Sequence, residues 1–267
     1  MAIAHAQPVP LWSGETPGID TAEPSFQPTI APYMVESVAP TGCVIVCPGG
    51  GYGHRAAHEG EPIAQALNQR GIAACVCDYR IAPYRYPYPL LDAQRAIRWV
   101  RAHAAALGVN PGAVAILGFS AGGHLAATAG THYDAGRADG DEIDRQSCRP
   151  DAMVLCYPVI SFGEFAHKGS MANLLGGNPA EELVQSLSNE TQVTADTPPT
   201  FLWHTADDAG VPVQNSLLFA QALSAHRVPC ELHVYRSGRH GLGLASEFPH
   251  IATWIDLCAE WLEEVGF

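Results

Sequence analysis

This chain has little positive charge and no long apolar run. Fourteen Lys and Arg stand against 27 Asp and Glu in 267 residues, a formal charge of −13. That balance argues against nucleic acid or an anionic membrane as a partner, because both are polyanions that recruit basic patches. No hydrophobic stretch approaches the roughly 20 residues that cross a bilayer. The first ten residues lack the basic start and apolar segment of a secretory signal, so the expected address is the cytoplasm. Repeats and low-complexity tracts are absent. So is a C-x-x-C pair: Cys75 and Cys77 are two apart, on one face of a strand. The eight cysteines fall mostly within apolar segments and are expected as buried free thiols. His54 and His58, four apart, have no third ligand at zinc spacing, so neither metal nor cofactor is expected. Nothing in these numbers fixes the oligomeric state, and a homo-oligomer stays open.

What is present is an alternation. Apolar runs at residues 43–47, 72–77, 113–117, 152–156, 201–204 and 230–235 read as strands. Helical patterns separate most of them: one opened by Pro62 and closed by Gly71, one over residues 91–106, and a last one from about Pro249. Continuous apolar strands alternating with helices predict an α/β fold, a mostly parallel sheet covered on both faces. Residues 40–267 are expected to form one catalytic domain. Residues 1–39, proline-rich, are expected as an arm packed on it, with one or two edge strands. Residues 131–151 read as a polar surface loop. Residues 161–199, with a short helical piece near 180–188, form at most a small lid.

Within that pattern Gly118-Phe119-Ser120-Ala121-Gly122 lies between the apolar run 113–117 and a helix of small residues. Strand, sharp turn with serine, helix is the setting of a G-x-S-x-G nucleophile elbow. A nucleophilic serine needs a base and an acid that orients the base. Asp207 and Asp208 both follow the strand 201–204, where a parallel sheet gathers its chemistry. The Asp-x-x-Val-Pro spacing favours Asp208, leaving Asp207 as a loop cap. His240, in a glycine-flanked loop after the last strand, is the expected base. An imidazole both accepts the serine proton and returns it to the leaving group. Cys47-Pro48-Gly49-Gly50-Gly51-Tyr52 ends the first long strand in three glycines. Backbone N–H groups of Gly50 and Gly51, with that of Ala121 after the serine, are the candidate oxyanion hole. Lys followed by Ser or Thr is missing after the glycines, which excludes a P-loop. Tyr52, Tyr84 and Tyr86 are candidate substrate contacts, since tyrosines near the mouth of a site stack on sugar faces.

These stretches, together with His58-Glu59-Gly60-Glu61-Pro62, Asp92-Ala93-Gln94-Arg95 and His204-Thr205-Ala206-Asp207-Asp208, resemble the acetylxylan-esterase-like group of bacterial α/β-hydrolases. That group is related to dienelactone hydrolases and to the hormone-sensitive-lipase type of carboxylesterase. The resemblance covers roughly residues 40–262. It implies the α/β-hydrolase fold and a serine esterase that removes acetyl groups from sugars or xylo-oligosaccharides. It also implies Ser120, Asp208 and His240 as the triad. A general small-acyl carboxylesterase, a thioesterase or peptidase, and a non-catalytic binding module are the alternatives.

Overall fold

A computed structural model describes residues 7–14, 16–18 and 26–267. Its strands are β1 (Val9–Pro10), β2 (Thr29–Tyr33), β3 (Thr41–Cys47), β4 (Ala73–Asp78), β5 (Val109–Phe119), β6 (Ala152–Cys156), β7 (Thr200–Thr205) and β8 (Cys230–Tyr235). Its helices are α1 (Glu61–Asn68), α2 (Tyr88–Ala102), α3 (Ala104–Leu107), α4 (Ala121–Thr131), α5 (Lys168–Leu175), α6 (Glu181–Ser186), α7 (Gln214–Ala225), α8 (Pro249–Ala252) and α9 (Trp254–Glu264). The strands form one sheet in the order β1-β2-β4-β3-β5-β6-β7-β8. From β4 to β8 every pairing is parallel; β1 and β2 add to the edge antiparallel. This is the α/β-hydrolase fold.

The strands are apolar throughout because both faces are covered. Side chains alternate between two cores. Cys43, Ile45 and Cys47 of β3 join Val114 and Ile116 of β5 under α2, α4 and α7. Val44 and Val46 join Ala115, Leu117 and Phe119 under α1 and α9. The parallel strands leave the C-terminal ends of β3, β5, β6, β7 and β8 along one edge of the sheet, and the loops after β3, β5, β7 and β8 carry the candidate site.

Several elements differ from the sequence reading. The helix expected over 91–106 breaks at His103, and the C-terminal helix breaks at Thr253. Cys230 is exposed rather than buried, because β8 is the sheet's outer strand. The segment 131–151 is pinned: Arg95 reaches Asp141 and Asp144, Arg98 reaches Asp134 and Arg101 reaches Asp151, all at 2.6–2.8 Å. Residues 1–6, 15 and 19–25 of the expected arm lie outside the described residues. Among those described, no helix is long and apolar enough to cross a membrane.

Candidate active site

Ser120 sits between β5 and α4 at φ 52°, ψ −115°, a backbone state a non-glycine residue rarely adopts. Three backbone bonds hold it there. Its N–H donates to Cys156 O at 3.0 Å, and its carbonyl accepts from Val159 N at 3.0 Å and His124 N at 3.1 Å. The flanking glycines follow from space. A Cβ on Gly118 would lie 2.0 Å from Gly122 O, and one on Gly122 would lie 2.1 Å from Cys47 O. The turn packs its backbone directly against the end of β3.

His240 Nε2 stands 2.7 Å from Ser120 Oγ, and His240 Nδ1 stands 2.7 Å from Asp208 Oδ2. A carboxylate only accepts, so Nδ1 carries the proton and Nε2 faces the serine hydroxyl as acceptor. Asp208 is buried, and its Oδ1 accepts N–H groups of Gly210 at 2.8 Å and Val211 at 3.0 Å. Burial pushes its carboxyl up. Hydrogen bonds from His204, His240 and the Val211 N–H outweigh that and hold it well below the usual carboxylate range. His204 is itself buried: its Nε2 donates to Val211 O at 3.0 Å and its Nδ1 accepts from Ser216 Oγ at 2.8 Å. Asp207 points elsewhere, accepting from Ser237 Oγ at 2.6 Å and Gly238 N at 2.8 Å.

The glycine loop after β3 borders the serine, with Gly50 at φ 126° and Gly51 at φ 63°. Among the described residues, the N–H groups of Gly50, Gly51 and Ala121 find no acceptor in the chain. Ala121 opens α4, where the first N–H groups of a helix are free and the dipole is positive. A cavity of about 360 Å³ is lined by Gly50, Gly51, Ser120, His240 and their neighbours Glu59 and His167. That is the lower end of small-molecule sites, roughly 300–1,000 Å³. A cavity of about 410 Å³ near Tyr235 is larger, but the serine there, Ser237, donates to Asp207 and, among the described residues, has no histidine partner. Chemistry, not size, selects the site.

The structure does not bring the three candidate tyrosines to this cavity. Tyr52 is 1% exposed, and its hydroxyl donates to His124 Nδ1 at 2.9 Å; the glycine turn aims it into the core. Tyr84 lies edge-on to Tyr88 beneath the Arg80 guanidinium. Tyr86 packs against the core, with its N–H on Leu174 O. Instead the cavity wall carries His54, His58 and His167. Nothing local marks His167: it caps α5 with its ring, a role usually held by Ser, Thr, Asp or Asn. Its place in the segment following β6 is the one hint. Among the described residues there is no group of three or more His, Cys, Asp or Glu that could hold a metal.

A family model described as BD-FAE matches residues 33–223, most of the chain. The chain belongs to the BD-FAE family. The BD-FAE match takes in Ser120 and Asp208 and ends before His240. The chain is 37% identical to endo-1,4-beta-xylanase B of Butyrivibrio fibrisolvens over 83% of its own length and 36% of that protein. It is 34% identical to the acetylxylan esterase of Xylanibacter ruminicola over 85% of its length and 46% of that one. It therefore spans less than half the length of these curated relatives. A crystal structure titled acetyl ester-xyloside bifunctional hydrolase, from Caldicellulosiruptor lactoaceticus, superposes with TM-score 0.96 at 53% identity, covering 99% of this chain and 98% of that one. The BD-FAE chain is thus a relative of carboxylic-ester hydrolases.

Proposed function

We propose that this chain is a serine carboxylic-ester hydrolase that removes acetyl groups from sugars or xylo-oligosaccharides through an acyl-enzyme. The continuous line from Ser120 Oγ through His240 to Asp208, each link 2.7 Å, carries the reading. Ser120 attacks the ester carbonyl as His240 Nε2 takes its proton, and Asp208 stabilises the resulting imidazolium. The tetrahedral oxyanion is held by N–H groups of Gly50, Gly51 and Ala121, each worth about 3 kcal/mol at the transition state. His240 then protonates the departing alcohol, and a water activated by the same ring releases acetate. The sugar portion is supported by the acetylxylan esterase and acetyl ester-xyloside relatives.

The test is hydrolysis of p-nitrophenyl esters from acetate to octanoate, with Ser120→Ala alongside. Highest rates on acetate, lost in the variant, are expected. A preference for longer acyl chains would replace the deacetylase with a general carboxylesterase. Turnover that survives in Ser120→Ala would remove the serine mechanism altogether.

A further inference from the structure

His167 has its protonation set by its own helix. The Ser170 N–H donates to His167 Nδ1 at 3.1 Å, and Ser170 Oγ lies 2.7 Å from the same nitrogen. A ring nitrogen that accepts a backbone N–H holds no proton, so the neutral ring carries its proton on Nε2. Among the described residues, Nε2 makes no hydrogen bond within the chain. The ring lines the cavity with Ser120 and His240. Its place is fixed because α5 is tied to the glycine loop: Asn173 Nδ2 donates to Gly51 O at 2.8 Å. Burial first, and then the neighbouring His240 imidazole, lowers its pKa against an opposing pull from Asp208, so the ring remains a neutral donor.

The direction of this donor follows from the chemistry. His240 must return its proton to the leaving oxygen, so the alcohol portion of an ester lies against His240. His167 lines the same cavity, its Cε1 beside Gly51 and its ring close enough to interact electrostatically with His240 and Asp208. A hydroxylated alcohol offers acceptors there, whereas a plain alkyl or aryl group offers none. We propose that His167 is a specificity-determining residue whose Nε2–H donates to a hydroxyl or ring oxygen of a sugar-like leaving group. This rests on the esterase reading above and names how that site selects its alcohol.

Two substitutions separate the donor from the cap. His167→Asn puts an amide oxygen near the Nδ1 position and keeps the cap, but leaves nothing at Nε2. His167→Gln reaches the Nε2 position with an N–H and gives up the short cap. The readout is kcat/KM on a mono-acetylated methyl xyloside divided by kcat/KM on p-nitrophenyl acetate, whose leaving group has no hydroxyl beside the ester. One neutral hydrogen bond corresponds to roughly a tenfold change. The ratio is expected to fall about that much in His167→Asn, through KM more than kcat, and to recover largely in His167→Gln. Thermal unfolding should rank them the other way, with Asn closer to the parent. An unmoved ratio in His167→Asn, or Gln falling with Asn, overturns the assignment. If the parent uses Ser120 on p-nitrophenyl acetate but never turns over the xyloside, the sugar reading falls and this one with it. If it turns over both and the ratio does not move, only the role of His167 falls.

Discussion

Glu59 Oε1 accepts a 2.6 Å hydrogen bond from the Tyr157 hydroxyl, and Glu59 Oε2 accepts the Gly49 N–H at 2.8 Å. Tyr157 Oη in turn accepts the Gly243 N–H at 2.8 Å, and its ring lies edge-on to His240 with centroids 5.1 Å apart. One buried carboxylate therefore joins the glycine loop to the loop that carries the candidate base. Burial, and then the charge of Glu59, pushes the Tyr157 hydroxyl well above its ordinary range, so it remains a donor.

Glu59→Gln should disturb both loops at once. The amide nitrogen faces either the Gly49 N–H, donor against donor, or the Tyr157 hydroxyl, which must then accept and gives up the acceptor for its own proton. We expect kcat on p-nitrophenyl acetate to fall roughly 10- to 100-fold with a smaller change in KM, in line with the cost of small misplacements. Tyr157→Phe should act in the same direction. An unchanged kcat in both variants would show that the two loops are set independently.

The two neighbouring aspartates should behave differently. Asp208→Asn removes the acceptor that fixes the His240 tautomer, and kcat should fall by roughly 10³ to 10⁴. Among the described residues Asp207 accepts only from Ser237 and Gly238, so Asp207→Asn should cost less than about tenfold. Equal losses in the two would reverse the assignment of the acid.

Gly122→Ala tests the elbow. The added methyl would meet Cys47 O at 2.1 Å, backbone against backbone, with no side chain to move aside. Destabilisation of about 3 kcal/mol is expected, read as a lower urea midpoint. A neutral result would mean that the turn and β3 are not packed this closely.

Stability should weaken in mild acid through His124. This ring is fully buried; Nε2 donates to Leu187 O at 2.8 Å, and Nδ1 accepts from Tyr52. Desolvation lowers its pKa to about 4. An unfolded histidine titrates near 6.5, so between those values the unfolded chain binds the extra proton. The sign is then fixed. The term is absent above about pH 6.5 and destabilises increasingly as pH falls towards 4, reaching roughly 3 kcal/mol. In His124→Gln, whose amide cannot titrate, urea midpoints should fall less steeply over that window. Equal slopes would assign the acid sensitivity to other groups.

Much of the fold is legible in the sequence because its causes are local. Strands buried on both faces must be continuously apolar, and the alternation with helices follows from Pro62, Gly71 and the spacing of Ile97 and Val100. The Ser120 turn is legible for a similar reason: a backbone doubling back from strand to helix tolerates nothing larger than glycine at 118 and 122. The helix breaks at His103 and Thr253 are not, since no proline or glycine marks them.

What the sequence by itself determined, then, is the succession of elements and the chain order of serine, aspartate and histidine. Short-range sterics and hydrophobic period suffice for that. Tertiary structure alone decided the partners. It sent Tyr52 into the core and brought Glu59 beneath two loops. It also set His167, 47 positions beyond Ser120, against the same cavity. Which side chain meets which depends on how distant backbones stack, and a polar group's role is fixed by the acceptor or donor that burial leaves within its reach.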